Sequence, residues 1–495
     1  MLTRLLACAA VLMASAAIVP AARAAELPVV VVRGLALSDL ESLQDRGAVG
    51  LLVPDAGPRT SEARARASLV RGKVVNSLRG KPAEGRRLIE VSTADDVPRG
   101  PAIVLGLPAG GEQQNDKRYP IAILGAGYRG LLVSDSTRIP GLVSIVDVAP
   151  TALREEDALS SRSKANAAAE VRDLDRRISD RRQSRLPTVF VAGALIILLA
   201  LVSPRAGVLS FATGLAANLL LGVGGVSSPA VTVVAIVLGV LAAWPLAHVL
   251  RSPLAVGLTL AATLVAYLVA LGLDAPTVAL SPFGPTQNSR FYGLSNILET
   301  MLLPPALGAA ALLARRFGMW ALAGVALVAL VAVAGSRFGA DGGGAIVLAA
   351  GFAILAVGLA GAGPHSLVVG AGAAVGALAL VAADAALGPS THVGRAIRSG
   401  PGSLAGDLVD RLELSWHKAT AGWGSGLVTA IALLLLAVRV ARVRRFDEPA
   451  ARSLLFAFAA AIAVSMVVND SPGDVAACGL VGYVALERFT LLRTG

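Results

Sequence analysis

Asn288-Ser289-Arg290-Phe291-Tyr292-Gly293-Leu294-Ser295-Asn296-Ile297-Leu298-Glu299 is a polar island between long apolar runs. The flanking runs are too apolar to sit in water, so the island marks where the chain leaves and re-enters an apolar phase. The whole chain agrees: of 495 residues, 55% are hydrophobic and only 16% charged, with mean hydropathy +0.70. That balance excludes an ordinary soluble protein and predicts an α-helical polytopic membrane protein. In such a chain the net charge of +11 reports orientation first, so nucleic acid is not the implied partner; membrane lipid is. Cys8 and Cys478 are the only cysteines, which leaves no disulfide framework and no thiolate metal site.

Upstream of the island, Arg4 precedes an apolar run from Leu5 to Pro20 and the small-residue tract Ala21-Ala22-Arg23-Ala24-Ala25. This layout predicts a signal peptide over residues 1–25, and hence an extracytoplasmic location for the domain after it. Residues 26–152 read as an α/β domain. Pro28 to Val32 fits a buried parallel strand, Leu35 to Asp45 a helix, and Gly47 to Val53 a second strand. Ala102 to Leu107, Ile121 to Leu124, Gly130 to Val133 and Leu142 to Val146 supply further strand candidates between Gly, Pro and charged loops.

The runs Val29-Val30-Val31-Val32-Arg33-Gly34 and Gly141-Leu142-Val143-Ser144-Ile145-Val146-Asp147-Val148-Ala149-Pro150-Thr151 resemble the opening strand and closing segment of the alkaline phosphatase-like superfamily. The resemblance implies a fold that holds two metal ions through Asp and His. Here Arg33 stands where the superfamily has a metal-binding Asp, and no histidine lies between Glu26 and Arg185. A cation in a ligand position opposes metal binding. The domain is therefore read as a shortened, non-catalytic relative, with Asp147 as a structural residue and no metal site.

Residues 153–186 shift to Glu, Asp, Arg, Ser and Ala, with Val171, Leu174 and Ile178 at helical spacing. They read as a charged, solvated helical stalk leading into a multi-span domain, 187–495. Arg176, Arg177, Arg181, Arg182 and Arg185 close to a span favour the cytoplasmic side, against the signal peptide; the signal prevails because long domains translocate largely regardless of charge. About eleven spans come after the stalk by the usual length criterion. They begin near Leu186, Val208, Ala230, Leu254, Ile297, Met319, Ala345, Ser366, Ala421, Leu454 and Val475. With the first domain outside, the inner loops hold Arg205, Arg251, Arg315, Arg316 and the cluster Arg439 to Arg452, so the positive-inside rule is met at nearly every inner loop, Gly361 to His365 excepted. The expected location is a bacterial cytoplasmic (inner) membrane.

The same count turns every polar island to the outer face: Asp274 to Glu299, Ser336 to Gly344, the loop Asp384 to Gly422 and Asn469 to Pro472. Each has a plain structural alternative. Asn296 and Glu299 are spaced as a capping box, Asp341 before three glycines as a helix cap, Asp470-Ser471-Pro472 as a helix start, and each arginine can snorkel. Together, however, they gather Arg290, Tyr292, Asn296, Glu299, Arg337, Asp341, Arg395, Lys418 and Asp470 as candidate substrate-binding residues, with His392 and Asp384 as candidate catalytic ones.

The order Arg-Phe-Tyr-Gly-x-x-Asn, Gly-x-Asp-x-Gly-Gly, Ser-x-His-x-Gly-Arg and Asn-Asp-Ser resembles an uncharacterised group of bacterial polytopic membrane proteins with a degenerate alkaline phosphatase-like N-terminal domain. It implies an architecture and a shared polar site. Guanidinium groups bind phosphate in bidentate fashion, which points to a phosphate-bearing, lipid-linked envelope precursor, in a layout similar to O-antigen ligases. Arg290, Arg337 and Arg395 would hold pyrophosphate and His392 or Asp384 would act as the base. A transporter of an anionic solute and an envelope scaffold are the other two readings. No nucleotide, haem or zinc motif is visible, so no cofactor is expected.

Overall fold

The computed structural model describes residues 26–55, 59–71, 89–91, 97, 99–154, 158–286, 291–335, 337–361, 423–443, 446–469 and 471–491. They fall into two compact units, Met1–Ser136 with Pro140–Val171, and Thr137–Ile139 with Arg172–Gly495. The predicted signal peptide and the spans' outer loop Asp384 to Gly422 lie outside the described residues, as does the span expected near Ser366.

The first unit is α/β. Its strands are β1 (Val29–Val32), β2 (Gly47–Val53), β3 (Arg59–Thr60), β4 (Ile89–Val91), β5 (Ala102–Leu105), β6 (Gln113–Gln114), β7 (Tyr119–Leu124), β8 (Gly130–Ser134), β9 (Leu142–Ser144) and β10 (Leu159–Arg162). The helices are α1 (Leu40–Gln44), α2 (Glu62–Arg71) and α3 (Val148–Ala152). The main sheet runs β10-β8-β2-β7-β5-β1-β4, with β9 beside β2. Strand β1 is parallel to β4 and β5, while β7 is antiparallel to β2 and β5. Every residue of β2 is buried, which is why it reads as an unbroken apolar run rather than an alternation. Three elements are shorter than the sequence suggests, the first being β5, expected to Leu107 and ending at Leu105. The expected helix Leu35 to Asp45 opens with a tight turn, Leu37–Asp39, because the Asp39 carboxylate accepts from Ala36 N at 2.8 Å. The strand expected to Val146 stops at Ser144, where Ile145–Asp147 turns into α3.

The second unit is helical: α4 (Ala167–Val202), α5 (Pro204–Val223), α6 (Pro229–Leu241), α7 (Ala243–Val249), α8 (Pro253–Leu273), α9 (Ala275–Ala279), α10 (Asn296–Phe317), α11 (Met319–Ala334), α12 (Gly342–Ala360), α13 (Trp423–Arg442), α14 (Pro449–Val468) and α15 (Pro472–Leu491). Helix α4 belongs to this unit from Arg172 onward. Among the described residues seven helical segments are long and apolar enough to cross a membrane, counting α6 and α7 together; α11 is apolar but shorter. Serine followed by proline opens α5, α6, α8 and α15. Proline is pre-organised for the first helical turn, where its missing N–H is no loss.

Helix α10 is the centre of the bundle. It packs against α5, α8, α11, α12, α14 and α15, and 94% of its most apolar stretch is buried. Its internal Pro304 and Pro305 are accommodated by a glycine on the facing helix: a Cβ on Gly482 of α15 would come 2.8 Å from Pro304 Cγ. Helices α12 and α14 approach as closely, since a Cβ on Gly358 would meet Ser453 Oγ at 2.2 Å. Small residues at such contacts replace the hydrophobic drive that lipid does not provide between helices. Cys478 is buried and forms no disulfide.

Candidate functional site

One end of the helical unit gathers the described parts of the polar islands. The last turn of α8 meets the turn before α12, where a Cβ on Gly272 would lie 3.1 Å from the Phe338 ring. The backbone before α10 presses on the same turn. Gly293, at φ +79°, would bring a Cβ to 1.9 Å from Gly339 O, so both the space and the dihedral require glycine.

Helix α10 starts with Ser295, whose Oγ accepts from Leu298 N at 3.0 Å and donates to Phe283 O. The capping box expected from Asn296 and Glu299 is therefore not what opens this helix; Ser295, one residue earlier, is the cap and Asn296 is already inside. That displacement frees Glu299 for another role. Its side chain is buried, and Oε2 accepts from Asn469 Nδ2 at 3.1 Å. Asn469 ends α14 and also donates to Ser465 Oγ at 2.8 Å.

Asp341 caps α12, its Oδ1 accepting from Gly343 N at 3.0 Å and Gly344 N at 3.1 Å. The two glycines let the other polar groups close in. A Cβ on Gly343 would come 2.7 Å from Asn469 Oδ1, and one on Gly344 would come 3.1 Å from Glu299 Cδ. The Glu299 carboxylate thus lies against the first turn of α12, where the helix dipole is positive. Two carboxylates and one amide, from α10, the α12 cap and the end of α14, share one buried region that no single sequence motif spans.

The remaining candidates are placed differently. Arg337 is exposed on the turn before α12. Tyr292 is partly buried and carries the guanidinium of Arg138, itself part of the helical unit, 4.0 Å from its ring centre; such a contact is attractive by about 1 kcal/mol. Arg290, Asp384, His392, Arg395, Lys418 and Asp470 lie outside the described residues. Asn469 and Ser465 are functional candidates that sequence reasoning passed over for their neighbour Asp470. The available signal was the four-residue spacing of two polar side chains at the end of an apolar run, which puts them on one helix face.

A second buried polar group sits elsewhere in the helical unit. Asn218 of α5 donates to Tyr267 Oη of α8 at 2.9 Å and to Ser281 Oγ at 3.0 Å, and accepts from Phe283 N at 2.9 Å. Tyr267 Oη donates in turn to Leu215 O at 3.1 Å. The network ties the segment before α10 to two helices.

In the α/β unit, Asp147 is buried and accepts from Ser134 Oγ and, at 2.6 Å, from Ser136 Oγ. Burial pushes its carboxyl above the usual aspartate value, although the two serines oppose the shift. Arg33 is exposed at the end of β1. No group of three or more His, Cys, Asp or Glu able to hold a metal ion occurs among the described residues. Compared with protein-family models, with curated proteins and with solved structures, the chain gives no match.

Proposed function

We propose that the chain is an inner-membrane protein of about eleven spans, with its α/β unit outside and a polar site at the outer ends of its helices that handles a phosphate-bearing, lipid-linked envelope precursor. The observation that carries this reading is the meeting of Glu299, Asp341 and Asn469 from three separate islands at one end of the bundle. Buried ionisable groups at membrane-spanning helices persist where they serve a substrate or an ion. In this reading Arg290, Arg337 and Arg395 hold the pyrophosphate, and His392 or Asp384 takes the proton of an acceptor hydroxyl. The α/β unit is a non-catalytic relative of the alkaline phosphatase-like fold, a reading favoured by Arg33 at the end of β1.

A second reading, a transporter of an anionic solute, is favoured by the burial of Glu299 at the start of the central helix, a feature of coupling-ion sites. One experiment separates them. Single cysteines at Ser289, Ser336, Ser390 and Ser471, in a Cys8→Ala, Cys478→Ala background, are labelled with an impermeant thiol reagent in intact cells, and polyprenyl pyrophosphate binding is measured for the purified protein. Labelling of all four from outside together with binding that Arg337→Ala weakens supports the precursor site. Labelling divided between the two faces overturns it and leaves the transporter.

A further inference from the structure

Helix α4 carries Arg177, Arg181 and Arg185 at four-residue intervals, hence on one face and about 6 Å apart along the axis. The sequence alone reads these arginines as part of a solvated stalk. The middle one is not solvated: Arg181 is 6% exposed, and all three of its guanidinium nitrogens lack a hydrogen-bond partner among the described residues. Its neighbour one turn further on is accounted for. Arg185 Nη1 donates to Gly284 O at 2.8 Å and lies near Asp474. Arg177 lies by the α5–α6 turn, where a Cβ on Gly225 would be 3.5 Å from Nη2. Arg177 adds a like charge beside Arg181 rather than a counter-ion.

A buried guanidinium with no acceptor costs several kcal/mol, and such orphans are rare in folded proteins. Repulsion from Arg177 raises that cost. A ligand with several oxyanion oxygens removes it, because the planar fork of arginine matches phosphate in bidentate fashion. The depth of the stripe suits a headgroup. Directly after it, Leu186 and Phe190 are 60% and 59% exposed, and only 28% of the most apolar stretch of α4 is buried. Lipid-facing side chains therefore begin within a turn of the arginines.

We propose that Arg177, Arg181 and Arg185 form a phosphoryl-oxyanion site at the polar end of α4, separate from the Glu299 cluster and independent of the substrate proposed for it. The test uses the full chain purified in detergent, with thermal unfolding measured against added phosphatidylglycerol and, in a second arm, against inorganic phosphate. A ligand that binds only the folded state raises the midpoint in a concentration-dependent way. The wild type is expected to respond, Arg181→Gln to lose the response, and Arg181→Lys to bind about tenfold more weakly through loss of the bidentate fork. Arg176→Gln, an exposed position paired with Asp173, should respond as the wild type does. A response to phosphatidylglycerol alone identifies a lipid headgroup; an equal response to inorganic phosphate identifies a free phosphate site. Without ligand, Arg181→Gln should melt no lower than the wild type, since it removes an unpaired buried charge. No response in the wild type, an undiminished one in Arg181→Gln, an equal loss in Arg176→Gln, or a ligand-free Arg181→Gln that melts below wild type would overturn the proposal.

Discussion

The helical unit buries two polar groups of opposite character. The Asn218 group is neutral and closed: its donors and its acceptor find partners in Tyr267, Ser281 and Phe283 N. The Glu299 group brings two carboxylates and an amide to the end of the bundle, with glycines cut away to admit them. Neutral, saturated polar groups between helices hold a fold together at modest cost. Buried carboxylates contribute poorly to stability and are explained better by a task. The first group should therefore respond to mutation in stability, the second in function.

The largest effect is expected where backbone rather than side chain is at stake. Gly293→Ala adds a Cβ where Gly339 O leaves 1.9 Å, at a positive φ, and both faults persist together. The expected loss is above about 3 kcal/mol, visible as loss of the monodisperse peak in detergent size-exclusion chromatography. Survival of a normal peak and melting curve would show that the segment before α10 is not held as described.

Asn218→Ala should cost about 2 kcal/mol or more, because Phe283 N and the hydroxyl of Tyr267 or Ser281 lose partners in a buried setting. The readout is the melting midpoint. Glu299→Gln keeps the shape and the contact to Asn469, so stability should move by less than about 1 kcal/mol, while the cellular phenotype of a deletion strain is no longer rescued. If Glu299→Gln unfolds the protein and Asn218→Ala does not, the contrast between the two groups is reversed.

In the α/β unit, Asp147 combines both characters, and its signature is pH. Its folded-state pKa is raised above the ordinary aspartate value of 3.8 by burial, so the folded state binds the proton more tightly than the unfolded chain. Stability therefore falls as pH rises from about that value through the raised one, and is regained as pH falls. Asp147→Asn should flatten the melting midpoint over that interval. A profile with the same slope as the wild type would remove burial of this carboxyl as its cause.

Much of this architecture is legible in the sequence because it rests on long, uniform patterns. Gly47 to Val53 reads as a buried strand and is one, and the apolar runs opening at Ser-Pro pairs are helices. The cluster is less legible because it is assembled from residues far apart in the chain: Glu299 and Asn469 are separated by 170 positions. Local spacing instead favours a capping box, which Ser295 preempts. Arg181 misleads for a similar reason. Its neighbours make a solvated charged helix plausible, and its burial is a tertiary fact that helical periodicity cannot carry.

The smallest effect is expected where charge meets charge in water. Arg315 at the end of α10 pairs with Glu448 at the start of α14, with side chains 46% and 21% exposed. An exposed pair gains little, because water screens the attraction and two long side chains must be held still. Arg315→Ala should thus shift stability by under about 1 kcal/mol, with the shift vanishing at high salt. Arg439 and Glu487 form the partly buried counterpart, 35% and 9% exposed. There Arg439→Ala leaves a carboxylate with little water to replace its partner, and the cost should exceed that at Arg315. Melting midpoints of the two single variants, compared at low and high salt, decide whether burial rather than the presence of a pair sets the value of charge in this bundle. Equal, salt-insensitive losses at both positions would break that rule, and with it the physical ground for treating Glu299 and Asn218 as different kinds of group.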